Sequence, residues 1–305
     1  NFPMDHPLYV GASSGTGVSP QPLFEKGVDL VLVVDSTKPW YPPENGAPND
    51  ADIIWLESEP AQKKKAYWNY PADLLITGES ERMLPMLVAR LSESVSSRPT
   101  DWRAVHDQWE RRWNERAKAG TDETPIDPFW LCHRIDEVLP DDAIICNETV
   151  THGSVVRNLV RDRGGRTFLP ALKSGGGGLG TVLSVTLGAK LAAPDRLAVT
   201  IIGDGGYSYN PVTAAFGAAD EHNLPILVLL FNNGSYRSMQ ASLEGSFPDG
   251  AAVENENYVG SEISPTPAYS DQARALGAFG ATIGDPAEID SALRDAISAV
   301  ESGQT

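Results

Sequence analysis

The composition of this 305-residue chain is that of a folded globular protein, because 41% of its residues are hydrophobic. Its 41 acidic and 24 basic residues give a formal net charge of −17 at pH 7. Nucleic-acid backbones and anionic membrane surfaces repel such a chain, so neither is expected as a partner. Any anionic ligand must therefore be held by a local site.

The cysteine pattern and the apolar runs indicate the cellular compartment of the protein. Cys132 and Cys146 offer neither a disulfide framework nor paired metal-ligand spacing, which is typical of a reducing environment. No apolar run approaches the roughly 18 residues that cross a bilayer. Residues 1–30 also lack the basic and then apolar pattern of a signal peptide. We therefore expect a cytoplasmic location.

The first hundred residues predict part of an open α/β domain. Residues 28–35 and 51–56 are short, continuous apolar runs, as in strands buried on both faces. The opening NFPMDHPLYVG starts at Asn1 without a complete first strand and helix, so we expect the chain to begin partway through a domain. Apolar residues then recur at helical spacing at Met83, Leu84, Leu87, Val88 and Leu91.

A charged segment at residues 99–128 follows. Val105, Trp109 and Trp113 are spaced four apart, which predicts one stripe of a helix. This helix either links two domains or belongs wholly to one of them.

From residue 126 onward, helices and strands alternate. Helices are predicted at residues 129–139, 153–161, from the glycine run at 175–178 to about 193, and 211–221. Strands are predicted at residues 143–146, 167–172, 197–202 and 226–231, and a last helix, strand and helix at about 270–300. The pattern predicts an α/β fold with open, mainly parallel sheets and helices on both faces. Ligands of such sheets bind outside the carboxyl ends of the strands.

Polar groups follow two of these predicted strands. GDGG occupies residues 203–206 and NNGSY occupies residues 232–236. The carboxylate of Asp204, the amide oxygen of Asn233 and a backbone carbonyl are hard oxygen ligands of the kind Mg²⁺ takes beside phosphates. The glycines allow backbone N–H groups to approach an anion closely.

The stretch GDGGYSYNPVTAAFGAADEHNLPILVLLFNNGSY resembles the GDG…NN signature of thiamine-diphosphate-dependent enzymes. Either cluster alone is a weak signal, whereas both at strand ends, one helix apart, are a strong one. The resemblance implies that Asp204, the side-chain oxygen of Asn233 and the carbonyl of Ser235 bind Mg²⁺. It also implies that the thiamine diphosphate contacts Gly203, Gly205, Gly206 and Tyr236.

The segment NETVTHG, residues 147–153, resembles the first diphosphate-side loop of the benzoylformate decarboxylase and acetolactate synthase branches. By that resemblance Thr149 and Thr151 contact phosphate or substrate, and His152 lies at the pocket edge as a catalytic candidate. A capped helix start and a surface histidine are the alternatives.

The segment GGLGTVLSVTLGAKLA, residues 177–192, resembles the loop and helix that face the pyrimidine ring of the cofactor. The resemblance implies that Leu179 holds the two rings in a bent shape, beside Gly178, and that Gly177 offers its carbonyl to the 4′-amino group. Leu179 as ordinary core is the alternative. Gly175, Gly177 and Gly180 also match GxGxxG, which favours a nicotinamide-dependent oxidoreductase, although no clear strand-to-helix unit with a following acid surrounds them.

The resemblance covers nearly the whole chain. It makes residues 1–115 a partial central Rossmann-like domain with a linker helix, and residues 116–305 the diphosphate- and Mg²⁺-binding domain. The family's pyrimidine-binding domain, with its activating glutamate, is missing from this chain, and Glu148 is a poor substitute because it falls on the diphosphate side. We expect a second polypeptide, or the missing amino-terminal half, to carry that domain, and we expect a dimer or tetramer of such pairs.

The implied function is a lyase or transferase reaction on a 2-keto acid, with thiamine diphosphate and Mg²⁺. Decarboxylation like that of benzoylformate decarboxylase and carboligation like that of acetolactate synthase both stay open. A non-catalytic subunit of the same fold is a further alternative.

Overall fold

The computed structural model describes residues 2–11, 23, 26–36, 39–40, 50–59, 70–92, 101–162, 164–170 and 178–305. No helix in this part of the chain is long and apolar enough to cross a membrane. The chain divides into two compact units, a smaller one at Val10–Val105 and a larger one made of Asn1–Tyr9 and His106–Thr305. The predicted division after residue 115 stays a prediction.

The smaller unit contains a three-stranded parallel sheet. Its strands are β1 (Leu30–Val34), β2 (Asp52–Glu57) and β3 (Leu74–Thr77), in that order across the sheet, and α1 (Ser80–Ser92) follows β3. β1 lies within the first predicted apolar run, and β2 matches the second except that it extends one residue further, to Glu57. The core is formed by Val33, Trp40, Ile53, Trp55 and Tyr70.

The larger unit is built on a four-stranded parallel sheet with the order β5-β4-β6-β7. The strands are β4 (Ile144–Glu148), β5 (Thr167–Pro170), β6 (Ala198–Gly203) and β7 (Leu227–Phe231). The helices are α2 (Trp102–Ala119, which starts in the smaller unit), α3 (Pro128–Val138), α4 (Gly153–Leu159), α5 (Val182–Ala192), α6 (Asp204–Tyr209), α7 (Val212–Glu221), α8 (Arg237–Ser246), α9 (Ala251–Glu254), α10 (Tyr269–Ala275) and α11 (Ile289–Glu301).

Strand β6 shows why this sheet has a layer of helices on each face. Successive side chains of a strand point to opposite faces, so a strand covered on both sides must be apolar throughout. Val199 and Ile201 enter the core beneath α3, α4 and α11, whereas Ala198 and Ile202 enter the core beneath α5 and α7. The predicted α/β class with parallel sheets is confirmed.

The predicted strand within residues 270–300 is wrong. Residues 276–285 form no strand, and the chain passes from α10 to α11 through a loop and a short 3₁₀ turn at Pro286–Glu288. Gly277 adopts a φ of +82°, and Gly280 lies so close to the Ser270 carbonyl that a Cβ would overlap it. The Phe279 N–H donates to Thr305 rather than to a sheet neighbour.

A buried ion network closes the end of α3. The Arg166 guanidinium donates to the carbonyl of Asp136 (2.9 Å), in the last turn of α3, and to that of Leu139 (2.6 Å), just beyond the helix. The Asp136 carboxylate accepts from Arg166 and from the backbone and Nε of Arg161, at 2.8 and 2.9 Å. Burial alone would raise the pKa of Asp136, but the Arg161 N–H and the guanidiniums of Arg161 and Arg166 hold this pKa below its usual range.

We expect Asp136→Asn to lower the free energy of unfolding at pH 7 by about 3–5 kcal/mol, because it removes the carboxylate that pairs with the fully buried Arg166 guanidinium. The folded-state pKa of Asp136 lies below its unfolded value of about 3.9. Its stabilising contribution is therefore present above that value and is lost as the pH falls through the folded-state pKa. Urea denaturation at pH 7 and pH 3 measures both effects.

The matched control is Asp290→Asn, which breaks the partly exposed Arg134–Asp290 pair and should cost about 0–1 kcal/mol. Equal losses in the two variants would contradict the importance of the buried network.

Candidate functional site

The candidate site lies at the carboxyl edge of the larger sheet. From β4 the chain passes to β5 on one side and then crosses to β6 on the other, so β4 and β6 form a topological switch point. Open parallel sheets bind ligands at such a point. The register pairs Glu148 with Ile202 and Gly203 with Phe231, which brings the loops after β4, β6 and β7 to one edge.

Asp204 connects the two motifs at the predicted strand ends, GDGG and NNGSY. It is buried, with 2% of its surface exposed, and it begins α6 directly after β6. One carboxylate oxygen accepts from Gly205 N at 2.8 Å, and the other accepts from Gly234 N at 2.7 Å. Each oxygen keeps a further lone pair, so the carboxylate retains capacity for a ligand.

Two asparagine turns shape the loop after β7. The Asn232 side-chain oxygen accepts from Gly234 N at 3.2 Å, and the Asn233 oxygen accepts from Ser235 N at 3.0 Å. Both asparagines are exposed, and Gly234 adopts a φ of +66°, which favours glycine. The loop therefore holds both amides at the same edge as Asp204.

An isolated antiparallel bridge centres on Ser235. The residues on either side of Ser235 make the hydrogen bonds to the opposite segment. Tyr236 N donates to the Ser261 carbonyl at 2.7 Å, and the Gly234 carbonyl accepts from Ile263 N at 2.8 Å. In such a pair the N–H and carbonyl of the central residue point away from the partner segment. The Ser235 carbonyl is therefore directed to the side opposite residues 261–263.

The glycines of GDGG allow close packing within the protein itself. A Cβ on Gly205 would lie 2.7 Å from the Tyr236 ring, and a Cβ on Gly206 would lie 3.2 Å from a carboxylate oxygen of Glu148. Intramolecular packing thus gives one reason for these glycines. Contact of Gly203, Gly205, Gly206 and Tyr236 with a diphosphate stays a prediction.

Glu148 binds more of the surrounding structure than the sequence indicated. It is 1% exposed at the end of β4. One oxygen accepts from Gly180 N at 2.9 Å and Asn210 Nδ2 at 3.2 Å, and the other accepts from Thr181 N and Val182 N, both at 2.9 Å. Its position at the end of a buried strand was the available signal, because a buried carboxylate must gather donors.

The segment before α5 is pressed against α6. Gly180 has a φ of +95°, and a Cβ there would overlap the Tyr209 carbonyl oxygen. Gly178 is exposed, and Leu179 leaves 36% of its surface exposed, so Leu179 is not ordinary core. Gly177 lies outside the described residues.

The loop after β4 begins with an asparagine turn. Thr149 is buried, and both its N–H and its hydroxyl donate to the Asn147 side-chain oxygen, at 2.9 and 2.7 Å. Thr151 is exposed, and His152 is half-buried immediately before α4. Burial lowers the pKa of His152, against a smaller opposing effect of Asp127. The contacts predicted for these residues stay predictions.

A comparison with protein families shows which family this chain belongs to. The family described as "Thiamine pyrophosphate enzyme, C-terminal TPP binding domain" matches residues 149–304, which is half of the chain. The chain belongs to this family. Thiamine pyrophosphate is thiamine diphosphate under its other name, so the resemblance stated from the sequence is confirmed.

Several curated proteins are similar over most of this chain. The probable 2-ketoarginine decarboxylase AruI of Pseudomonas aeruginosa is 27% identical over 302 residues, covering 96% of this chain and 48% of that protein. The large subunit of acetolactate synthase isozyme 3 of Escherichia coli is 25% identical over 262 residues, covering 84% of this chain and 42% of that protein. The chain thus spans about half the length of these relatives.

Solved structures share the fold. Benzoylformate decarboxylase from Polynucleobacter necessarius aligns with a TM-score of 0.70 at 20% identity, covering 98% of this chain and 52% of that one. The thiamine diphosphate-dependent 4-hydroxybenzoylformate decarboxylase of Rhodococcus jostii aligns with the same score and coverage at 24% identity. The predicted fold class is confirmed by both.

We expect Gly180→Ala to lower the free energy of unfolding by about 1–3 kcal/mol, because the backbone there is left-handed and the space is filled. Gly178→Ala, two residues earlier, has nothing within 4 Å of its added Cβ and should stay within about 0.5 kcal/mol of the parent. Urea denaturation of both variants checks this, and equal effects would show that the Gly180 segment does not press on α6.

Proposed function

We propose that this chain binds thiamine diphosphate and Mg²⁺ at the edge formed by β4, β6 and β7, and that it takes part in decarboxylation or carboligation of a 2-keto acid. The observation that carries the proposal is the 2.7 Å hydrogen bond from Gly234 N to Asp204, which brings GDGG and NNGSY together. The named activities of the relatives, a 2-ketoarginine decarboxylase and an acetolactate synthase, support the substrate class.

The metal would be held by the carboxylate of Asp204, the side-chain oxygen of Asn233 and the carbonyl of Ser235. These are hard oxygen donors, and Mg²⁺ completes its shell with phosphate and water. Within the described residues no group of three or more His, Cys, Asp or Glu could hold a metal ion. The donors therefore suit a diphosphate-bound Mg²⁺ better than a zinc site.

When bound, thiamine diphosphate supplies the carbon nucleophile and the ring that accepts the electrons left by decarboxylation. Leu179 presents exposed apolar surface in the segment whose backbone donates to Glu148, with Gly178 next to it, and it would pack against the cofactor. Thr151 is exposed on the loop after β4 and faces solvent, where a phosphate or substrate can reach it. Burial lowers the pKa of His152 and so favours its neutral imidazole, which would be able to accept a proton.

The activating glutamate would come from a second polypeptide or from an amino-terminal half that would precede Asn1 in the same chain. Glu148 is saturated by N–H donors and enclosed, which supports the view that it does not serve this role. Among the described residues of the smaller unit, β1 is an edge strand, and its Leu30 and Leu32 are 51% and 39% exposed. Parallel sheets are normally covered, so further chain beside β1 is part of the proposal, within a dimer or tetramer of such pairs.

The nicotinamide alternative is disfavoured by the same contacts. A dinucleotide fingerprint needs free backbone N–H groups where its last glycine opens a helix. The N–H groups of Gly180, Thr181 and Val182 already donate to Glu148. Gly175 and Gly177 lie outside the described residues. A non-catalytic subunit is the other alternative, and cofactor binding without turnover in the assembled protein would identify it.

We expect Asp204→Asn and Asn233→Ala each to weaken Mg²⁺-dependent binding of thiamine diphosphate at least about tenfold, because each removes a metal donor. Isothermal titration of the assembled protein at fixed Mg²⁺ measures the affinity.

Asn232→Ala is the matched control, because it removes an equivalent turn hydrogen bond from an equally exposed neighbour. Its affinity should be unchanged. Wild-type affinity in Asp204→Asn, or equal losses in the two asparagine variants, would overturn the metal assignment.

We expect native mass spectrometry with Mg²⁺ and thiamine diphosphate to show this chain together with a second polypeptide and one cofactor per pair. The physical reason is that Glu148, which the described residues place at this edge, already has its carboxylate engaged by backbone N–H groups. A chain that travels alone without cofactor would count against the proposed function.

A further inference from the structure

We infer that Glu148 is a positioning residue, which holds the segment carrying Leu179 at a set distance from the helix that begins with Asp204. The inference rests on the proposed function, since these two residues are the ones assigned to opposite parts of the cofactor. Glu148 itself is 1% exposed and is enclosed by the donors that it binds. Its effect on the site is transmitted through the backbone that it binds.

The environment of Glu148 consists of donors. Its oxygens accept from the N–H groups of Gly180, Thr181 and Val182, from the Thr181 hydroxyl at 3.3 Å, and from Asn210 Nδ2. Two of these N–H groups belong to the residues that open α5, where the helix dipole favours a negative charge. An ionised carboxylate satisfies all of them, whereas an amide in its place would direct its own N–H₂ at another donor.

Asn210 extends the contact to the end of α6. Its Nδ2 donates to the Gly206 carbonyl at 2.9 Å as well as to Glu148, and its oxygen accepts from Leu183 N at 3.2 Å. Asn210 is 7% exposed. The two side chains therefore link β4, the start of α5 and the turns of α6 in one buried network.

Close packing restricts the movement of the α5 segment relative to α6. Gly206 faces a Glu148 oxygen, and Gly180 faces the Tyr209 carbonyl, in both cases with less space than a Cβ needs. Leu179 immediately precedes Gly180, and Asp204 lies two residues before Gly206. A change at Glu148 thus displaces Leu179 relative to Asp204 before it affects more distant parts of the sheet.

The test compares Glu148→Gln, Glu148→Asp and the parent in the full chain. Hydrogen exchange of peptides covering residues 178–184 is measured relative to β6. In Glu148→Gln we expect the exchange rate of this segment, relative to that of β6, to rise about 10- to 100-fold. The reason is that the amide N–H₂ of the new side chain then faces buried N–H donors. Glu148→Asp keeps the charge and should restore part of the protection.

Asp136→Asn is the control, because it removes another buried carboxylate charge of the same unit without touching residues 178–184. It should not raise exchange of the segment relative to β6. A rise confined to the Glu148 variants supports the positioning role. Unchanged local exchange in Glu148→Gln, or an equal local rise in the control, would overturn it.

The second readout is the affinity for thiamine diphosphate with Mg²⁺, measured by titration calorimetry. We expect about tenfold weaker binding in Glu148→Gln and partial recovery in Glu148→Asp, in step with the exchange data. Loss of local protection with unchanged affinity overturns the link to the cofactor. If the parent binds no thiamine diphosphate, the proposed function fails, and the exchange comparison alone decides whether Glu148 holds the segment.

Discussion

A buried negative charge at the point where β4 ends constrains the rest of the larger unit. Burying an ionised carboxylate is costly unless donors surround it, and Glu148 obtains them from the backbone that opens α5 and from Asn210. Those donors stay in place only if α5 and α6 keep their positions over the sheet. The hydrogen bonds of one side chain therefore set how the loops at the carboxyl edge are arranged.

The same edge brings together residues far apart in the chain. The order β5-β4-β6-β7 places β6 between β4 and β7, so the loops following these three strands meet. Asp204 and Gly234 are joined there by a hydrogen bond, and the bridge at Ser235 turns that residue's carbonyl away from residues 261–263. The family match over residues 149–304 spans this arrangement.

Electrostatics in this acidic chain are local. The net charge of −17 gives no general attraction for a diphosphate, so the proposed cofactor binding would depend on a metal ion and on oriented N–H groups. The carboxylates are used differently according to what surrounds them. Asp136 is balanced by Arg161 and Arg166, Glu148 by N–H donors, and Asp204 by two N–H groups with lone pairs left over.

The sequence by itself determined the described strands other than β3, the parallel α/β class and the positions of Asp204 and Asn233 at strand ends, because run length and apolar periodicity are local properties. It predicted a strand within residues 270–300 that does not form, since the close approach of Gly280 to Ser270 cannot be read from apolar content. The role of Glu148 was decided only by the tertiary structure. Its donors lie 32 to 62 residues further along the chain, and only the crossover between β4 and β6 brings them to it.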